Sequence, residues 1–525
     1  MCGSVQSRNW KMNVGYLLTN SAHKYPEKLA FISEEGRLTF EEFDQRTNRL
    51  GGAMLKAGLK KGDRVAILFF NSSYFVEVYF AALKVGLIAT PVNFRFVGPE
   101  IAYVLNDSQP SMLFYGPEFE TTILGIREQL DTIRVFVSPH EGASSSAVDY
   151  EEFISKGKCI SPASDIYEDD QCQIMYTSGT TGRPKGAILT HGNVLWNLFN
   201  TVLGREDKTG ERALIVGPLY HTAALNNHFT IQVALGGTSI LVRKFEPESL
   251  LRTIEKERAT VISGAPALYN LLLQHPNASK YDTSSITKCT AGADKLPMEI
   301  KERLLEFFPN IKGIYDVYGC TEASPCITIL NAEDSLRKDM SVGKDLPFLE
   351  ARVVDEDDKL LPPGEVGELI CRGPNVMKGY YGNPEGTRET IRNGWLYTGD
   401  LARMDEEGFF YIVDRKKEMI VSGGENIYPR EIEEVLITHP AIADVAVVGI
   451  PDPDWGESVK AFVALKEGEM ISEQEVVDFC KKYLASYKKP KTVAFIPSIP
   501  RNPSGKALKR LLREKYDRLP IEKRR

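Results

Sequence analysis

The sequence lacks the patterns that mark metal sites, disulfide frameworks and membrane spans. Its eight cysteines are scattered without a C-x-x-C pair, and its seven histidines form no metal-spaced pair, so neither a zinc site nor a disulfide framework is indicated. No apolar segment typical of a signal peptide stands near the first residues. The most apolar stretch, 65–92, is interrupted by polar residues and predicts strand, helix and strand, with Ser72 or Ser73 capping the helix. We therefore expect a cytoplasmic protein.

Length and composition favour a globular protein with at least two domains. The chain has 525 residues, of which 42% are hydrophobic and 26% charged, which is too long for one ordinary core. The net charge of −7 disfavours a nucleic-acid partner. Residues 501–525 are rich in Lys and Arg, with leucines at helical spacing. A docked helix with a solvated basic face is the favoured interpretation, and contact with an anionic membrane surface is the alternative.

Alternating strand-like and helix-like segments predict an α/β fold with mainly parallel sheets flanked by helices. The strands predicted for it are 64–70, 111–115, 213–217, 238–242, 260–263 and 314–317. A β-rich subdomain follows, with short strands at 352–354, 368–372 and 410–413. The basic segment 414–417 then leads into a small α+β module. The sequence thus predicts a large N-terminal domain, 1–414, and a small C-terminal domain, 415–525.

The most informative segment is 176–186, which combines four Ser or Thr hydroxyls, three glycines and a lysine after the predicted strand 173–176. Such a loop presents backbone N–H groups and hydroxyls to a phosphate chain. An isolated cluster of this kind is more often a surface turn. The P-loop pattern fails here, because no Ser or Thr follows Lys185. The segment is therefore a phosphate loop of another kind, or none.

Four further segments follow this loop along the chain. They are YGCTE at 318–322, GWLYTGD at 394–400, DRKKEMI at 414–420 and PRNPSGK at 500–506. Together with the loop, this ordered set resembles the adenylate-forming enzymes, which include acyl-CoA synthetases, adenylation domains of peptide synthetases and firefly-type luciferases. The resemblance extends over nearly the whole chain and is highly specific. It implies an AMP-forming acyl-CoA ligase that uses ATP, Mg²⁺ and CoA, with the fatty-acyl-CoA synthetases as the nearest relatives.

The resemblance implies an ATP site with one metal carboxylate. The residues that it implies for ATP binding are Thr177, Ser178, Gly179, Thr180, Thr181, Gly182, Lys185, Asp316, Tyr318, Gly319, Asp400 and Arg415. Within this set, Tyr318 stacks on adenine, Asp316 accepts from its amino group, and Asp400 holds the ribose hydroxyls. Glu322 is the implied Mg²⁺ ligand, because a hard cation takes carboxylate and phosphate oxygens. Thr321 is the implied contact to the α-phosphate.

The small C-terminal domain is implied to be mobile and to take part in both half-reactions. Lys506 bridges the substrate carboxylate and the α-phosphate, where negative charge accumulates. Lys417 is the hinge on which the domain turns, so that CoA enters where Lys506 stood. The residues implied to bind CoA are Ser422, Gly423 and Gly424, and their glycines permit close approach of the cofactor arm.

The identity of the small-molecule carboxylate depends on the acyl pocket. His221 is implied to border it catalytically, with a purely structural histidine as the alternative. The other residues implied for the pocket are Ala223, Ala224, Asn227, Gly264, Ala265, Ala291, Gly292 and Ala293. Their small size leaves room for a long or bulky acyl group, and each buried methylene contributes about 0.8 kcal/mol. No aspartate occurs in 217–229, which disfavours an amino-acid substrate.

Several functional alternatives stay open. A medium- or long-chain fatty acid is the favoured acid, and benzoate- or coumarate-type aryl acids are close alternatives. A carrier protein could replace CoA as the acyl acceptor. A third hypothesis, an inactive nucleotide-binding module, is disfavoured because Lys185, Glu322, Asp400 and Lys506 are all present. A homodimer is an expectation from the family alone.

Overall fold

The computed structural model describes residues 12–140, 146–160, 165–177, 184–292, 294–422, 425–453, 455–501 and 507–516. The chain forms two compact units. The first comprises residues 1–351 and 370–397, and the second comprises 352–369 and 398–525. The predicted α/β class is confirmed by the sheets and helices described next.

Two large sheets lie within the first unit. In spatial order, the strands of the nine-stranded sheet are Lys344–Asp345, Cys326–Leu330, Gly313–Gly319, Lys288–Gly292, Val261–Gly264, Arg212–Ile215, Thr238–Leu241, Leu29–Ile32 and Arg37–Thr39. The strands of the eight-stranded sheet are Gly379–Tyr380, Lys185–Thr190, Gln171–Thr177, Ile88–Pro91, Arg64–Leu68, Met112–Tyr115, Val135–Ser138 and Val148–Asp149. Most neighbouring strands at the centre of each sheet pair in parallel, so their carboxyl ends meet at one edge.

Helices connect these strands. Those of the first unit are Val14–Lys24, Phe40–Lys56, Ser73–Lys84, Gly98–Ser108, Glu120–Ile126, Tyr150–Ser155, His191–Arg205, Thr222–Ala224, Thr230–Leu235, Pro247–Glu257, Pro266–Leu273, Met298–Phe307 and Pro384–Thr390. A π-helical turn, Leu225–Phe229, interrupts one of them. Such turns occur most often at functional sites.

Two five-stranded sheets complete the fold. The first contains Glu350–Val354, Gly367–Arg372, Trp395–Met404, Ile391–Arg392 and Phe410–Arg415. The second, in the second unit, contains Glu425–Ile427, Ile420–Ser422, Gly456–Leu465, Ile442–Asp452 and Thr492–Phe495. Its helices are Pro429–Leu436, Glu473–Tyr483 and Lys509–Tyr516. Among the described residues, no helix combines the length and the apolar character that crossing a bilayer requires.

The apolar stretch 65–92 forms the strand–helix–strand unit that its pattern predicts. Its helix, Ser73–Lys84, begins after Ser72, whose hydroxyl accepts a hydrogen bond from the N–H of Phe75 at 3.3 Å. This cap satisfies one of the N–H groups that a helix start leaves without a partner. The two strands pair in parallel, which places the ends of both at the same edge of the sheet.

Asn71, at the start of this connection, ties the two large sheets together. Its amide Nδ2 donates to the carbonyls of Ile215, Gly217 and Val242 at 3.2, 2.9 and 3.1 Å. Its Oδ1 accepts from the N–H of Leu219 at 2.9 Å. The side chain is buried, so these bonds satisfy backbone groups away from water, although the Ile215 carbonyl also accepts from the N–H of Val242 at 3.1 Å.

We expect Asn71→Ala to lower the free energy of unfolding of the first unit by about 2–3 kcal/mol, because it leaves several buried backbone groups without partners. Urea denaturation followed by circular dichroism measures this change. Asn106→Ala is the matched control, since Asn106 is exposed and its loss should cost less than about 0.5 kcal/mol. Equal effects of the two substitutions would show that Asn71 does not hold the sheets together.

Candidate active site

The predicted phosphate loop lies between two adjacent strands of the eight-stranded sheet. Thr177 ends one strand, Lys185 begins the next, and the two residues are cross-strand partners. The Thr177 hydroxyl donates to the Lys185 carbonyl at 3.5 Å. The loop residues Ser178, Gly179, Thr180, Thr181 and Gly182 lie outside the described residues. Both ends of the loop are therefore fixed by the ladder of one sheet.

Tyr380 brings the loop lysine and the predicted metal carboxylate together. Its hydroxyl donates to Glu322 Oε1 at 2.7 Å, and Lys185 Nζ lies 5.1 Å from the centre of its ring, within cation–π range. Burial, reinforced by the Glu322 charge, raises the pKa of the Tyr380 hydroxyl, so that it stays a donor. The sequence reasoning had not singled out this tyrosine, which lies in the short strand Gly379–Tyr380 beside Lys185–Thr190.

A buried amide holds the turn that carries Thr321 and Glu322. This turn is the 3₁₀ segment Thr321–Ala323. Asn375 Nδ2 donates to the carbonyl of Ala323 at 2.7 Å and to that of Cys326 at 2.9 Å. Asn375 is fully buried, so these carbonyls obtain partners that water does not supply. The hydrogen bonds of Asn375 thus hold the buried part of the turn, while Thr321 and Glu322 stay partly exposed.

Gly319 is required by close packing just before this turn. A Cβ atom at Gly319 would lie 1.8 Å from the carbonyl oxygen of Pro325, which no side chain can tolerate. The hairpin that returns from Gly319 to Cys326 therefore depends on glycine. The adjacent Tyr318 is partly exposed near the end of its strand.

Asp316, two residues before Tyr318, lies in a buried ion pair. Its carboxylate is 2.6 Å from Lys301 Nζ, with both side chains largely removed from solvent. Burial raises the pKa of Asp316, and the Lys301 charge acts in the opposite direction. The carboxylate predicted to accept from adenine is thus already paired with a cation.

The small residues of the predicted acyl pocket lie at the carboxyl edge of the nine-stranded sheet. Gly264 is the cross-strand partner of Ala291, and Gly292 is the partner of Val317. Ala265 directly follows its strand, whereas Ala293 lies outside the described residues. Ligands of α/β sheets bind at this edge. The Glu322 turn follows the neighbouring strand at the same edge, so the pocket residues and the turn converge.

A second group of pocket residues surrounds the π-helical turn. The His221 ring centre lies 4.4 Å from that of Tyr220, and His221 immediately precedes the helix Thr222–Ala224. Within that helix Ala223 is exposed and Ala224 is buried.

Asn227 differs from the other predicted pocket residues because its side chain is already bonded. It is buried, and its Oδ1 accepts hydrogen bonds from Asn197 Nδ2 at 2.6 Å and from the Thr201 hydroxyl at 3.2 Å. Both donors belong to the helix His191–Arg205. The amide of Asn227 thus fastens the π-helical turn to that helix.

Asp400 and Arg415 form an ion pair within the second unit. They are cross-strand partners, and Arg415 Nε lies 2.7 Å from Asp400 Oδ1. Asp400 is buried, whereas Arg415 is partly exposed. A guanidinium beside a carboxylate offers both donors and acceptors to a sugar diol.

The other predicted residues of the second unit follow this pair. Lys417 lies in the turn between the strands Phe410–Arg415 and Ile420–Ser422. Ser422 pairs with Glu425 in a tight hairpin. Gly423, Gly424 and Lys506 lie outside the described residues.

Comparison with known proteins identifies the family. Residues 18–381 match the family described as AMP-binding enzyme, and residues 431–506 match the AMP-binding enzyme C-terminal domain. The chain belongs to this family of AMP-binding enzymes. The resemblance seen in the five sequence motifs and the predicted class of AMP-forming acyl-CoA ligases are both confirmed.

Individual relatives differ in the acid that their names specify. The chain is 39% identical to a feruloyl-CoA synthase of Amycolatopsis sp, over 91% of this chain and 94% of that protein. It is 36% identical to the long-chain-fatty-acid–CoA ligase FadD13 of Mycobacterium tuberculosis, over 96% of this chain and 98% of that protein. Among solved structures, one similar protein is the o-succinylbenzoate CoA synthetase of Bacillus subtilis in complex with ATP and magnesium ion. Its TM-score is 0.84 and its sequence identity is 32%, over 95% of this chain and 99% of that chain.

Asn375→Ala should loosen the Glu322 turn, because two carbonyls lose their donor. We expect amide exchange in residues 319–326 to accelerate by about tenfold or more, measured by hydrogen–deuterium exchange with mass spectrometry. Asn310→Ala is the control, since Asn310 is exposed and donates to a single carbonyl. Unchanged exchange in Asn375→Ala would refute the role of this amide.

Proposed function

We propose that this protein joins a carboxylic acid to CoA in two steps at one site. An oxygen of the carboxylate attacks the α-phosphorus of ATP, the bond to the β-phosphate oxygen breaks, and pyrophosphate leaves. The CoA sulfur then bonds to the acyl carbon, the bond to the AMP oxygen breaks, and the thiol proton passes to solvent. The observation that carries this proposal is that Tyr380 contacts both Lys185 and Glu322, which brings residues from the two large sheets together.

Glu322 fits the role of the Mg²⁺ ligand. The Glu322 Oε1 atom accepts a hydrogen bond from Tyr380. Among the described residues, no side chain forms a hydrogen bond with Glu322 Oε2. A carboxylate oxygen of this kind, together with substrate phosphates, is the usual ligand set of Mg²⁺. Bound there, the metal would neutralise charge on the phosphate oxygens. The Lys185 ammonium adds a second positive charge beside the same ring, which suits a site for a polyphosphate.

The remaining assignments concern the second unit. We propose that Asp400 and Arg415 hold the ribose, that Lys506 bridges the carboxylate and the α-phosphate, and that the turn at Lys417 is the hinge between domains 1–414 and 415–525. Ser422, Gly423 and Gly424 would then line the path of CoA. The ion pair between the buried Asp400 and the partly exposed Arg415 supports the ribose assignment, because it orients the carboxylate.

Two classes of acid are candidates. A medium- or long-chain fatty acid is supported by the small residues at the strand ends, including Gly264 and Ala291, and by the similarity to FadD13. An aryl acid is supported by the edge-to-face contact of Phe94 with Tyr220, whose ring in turn contacts His221, and by the similarity to feruloyl-CoA synthase. A homodimer and contact with a membrane stay predictions.

Pyrophosphate release with Mg²⁺-ATP tests the reaction. We expect release that depends on CoA for multiple turnovers, measured across acetate to oleate together with benzoate and coumarate. Lys506→Ala should reduce adenylate formation by about a hundredfold or more, because it removes a cation from the reacting phosphate. Release that ignores CoA would favour a carrier protein as the acceptor. Undiminished adenylate formation in Lys506→Ala would contradict the role of that lysine.

Tyr380→Phe should raise the Mg²⁺ concentration needed for half-maximal pyrophosphate release by about tenfold, because a hydrogen bond to a charged carboxylate is lost. Mn²⁺ binding in the presence of ATP, followed by electron paramagnetic resonance, measures the same change without turnover. Tyr381→Phe is the matched control. Tyr381 is adjacent to Tyr380, and no described residue forms a hydrogen bond with the Tyr381 hydroxyl. Both the Mg²⁺ requirement and Mn²⁺ binding should therefore stay unchanged. Equal behaviour of the two variants would contradict the positioning role of Tyr380.

A further inference from the structure

His228 lies in the π-helical turn Leu225–Phe229 and has one ring nitrogen held by two neighbours. Its Nδ1 lies 3.2 Å from Arg205 Nη1 and 3.2 Å from the Ser263 hydroxyl. These neighbours belong to different elements, the helix His191–Arg205 and the strand Val261–Gly264. The ring is therefore fixed in orientation by contacts remote from it in sequence.

The contact with Arg205 determines the tautomer of His228. Arginine can only donate, so Nδ1 must accept and the ring proton stands on Nε2. Arg205 is kept charged by Asp207, whose carboxylate lies 2.7 Å away, with both side chains 1% exposed. Burial, aided by the Arg205 charge, lowers the pKa of His228 to about 3. The ring is thus neutral at physiological pH and offers one N–H donor.

The position of the ring connects it to the predicted acyl pocket. Ser263 directly precedes Gly264, and Asn227 directly precedes His228 along the chain. The ring is deep enough for burial to dominate its pKa, yet it keeps partial exposure. Nδ1 lies against the buried Arg205 side chain, whereas part of His228 stays accessible. No described residue bonds Nε2.

We propose that His228 is a specificity residue of the acyl site, whose Nε2–H donates a hydrogen bond to an oxygen on the acyl group of the substrate. This inference rests on the proposed function and narrows it. The preferred acids carry an oxygen substituent, such as a hydroxyl or a methoxy group, on the part of the molecule remote from the carboxylate. An unsubstituted hydrocarbon leaves the donor without a partner, and a site of this kind discriminates against such analogues more strongly than an apolar pocket does.

Matched pairs of acids test this preference. The pairs are 4-hydroxycinnamate with cinnamate and 12-hydroxydodecanoate with dodecanoate, which place an oxygen on an aryl and on an alkyl scaffold. We expect the oxygen-bearing member of at least one pair to have a kcat/KM higher by about tenfold or more. His228→Leu should bring that ratio close to one, and His228→Gln, which retains an N–H donor, should restore much of it.

The ratio distinguishes this inference from the proposed function. Turnover of any member of a pair reports the ligase reaction, whereas the ratio within the pair reports His228. The dissociation constants of both acids, measured by calorimetry without ATP, give the same comparison without chemistry. His191→Leu is the control, since His191 is also buried, with Nδ1 accepting from the N–H of Val14 at 3.2 Å, and its loss should leave the ratio unchanged.

Two outcomes would overturn the inference. One is a wild-type ratio near one in both pairs, by kinetics and by binding. The other is a His228→Leu variant that weakens both members of a pair equally. Because the leucine variant leaves Arg205 without an acceptor, folding of both His228 variants is checked by thermal unfolding. Restoration by the glutamine variant then separates lost recognition from lost structure.

Discussion

The site depends on one constraint, which is that irregular backbone inside a protein must have its polar groups paired. Asparagine amides supply most of these pairs here. Asn375 holds the carbonyls beneath the Glu322 turn, and Asn193 Nδ2 donates to the carbonyls of Pro374 and Val376 at 2.8 Å each. A side-chain amide both donates and accepts hydrogen bonds. It can therefore bond to the backbone N–H and C=O groups that have no strand partner beyond the end of a sheet. The Glu322 turn and the segment 374–376 therefore have partners for their carbonyls where no strand pairs with them.

The Glu322 carboxylate and the Lys185 ammonium illustrate how such a frame prepares a charged site. Both contact Tyr380, whose strand pairs with Lys185–Thr190. The Tyr380 hydroxyl donates a hydrogen bond to Glu322, and the Lys185 ammonium lies over the face of the same ring. The two charges thus keep fixed positions without neutralising each other directly. A site arranged in this way needs little reorganisation when a polyphosphate and a metal arrive together.

Much of the fold could be predicted from the sequence, because local signals and tertiary packing agree. Ser72 caps the helix that its position indicates, and the apolar stretch 65–92 forms the predicted strand, helix and strand. The family was also recognisable from the order of its motifs. The exact ends of most strands differed by one to three residues, since pairing with neighbours decides where a strand ends.

Tyr380 and His228 could not be found in this way, because their roles depend on partners remote in sequence. Tyr380 matters through Glu322 and Lys185, and the strand pairing that brings them together has no local signature. His228 matters because Arg205 fixes its tautomer and Ser263 helps to hold the ring. Asp316 shows the converse, since its motif position indicated adenine, whereas the fold pairs it with Lys301.

The helix His191–Arg205 connects the Glu322 turn to the π-helical turn that carries His228. Asn197 Oδ1 accepts from the N–H of Cys326 at 3.0 Å, behind the Glu322 turn, and its Nδ2 donates to Asn227 in the π-helical turn. Arg205, on the same helix, holds both the carbonyl of Asn227 and the ring of His228. One helix therefore contacts both the segment behind the Glu322 turn and the π-helical turn. A substitution at Asn197 would therefore affect both the segment behind the Glu322 turn and the π-helical turn, because its side chain bonds to each.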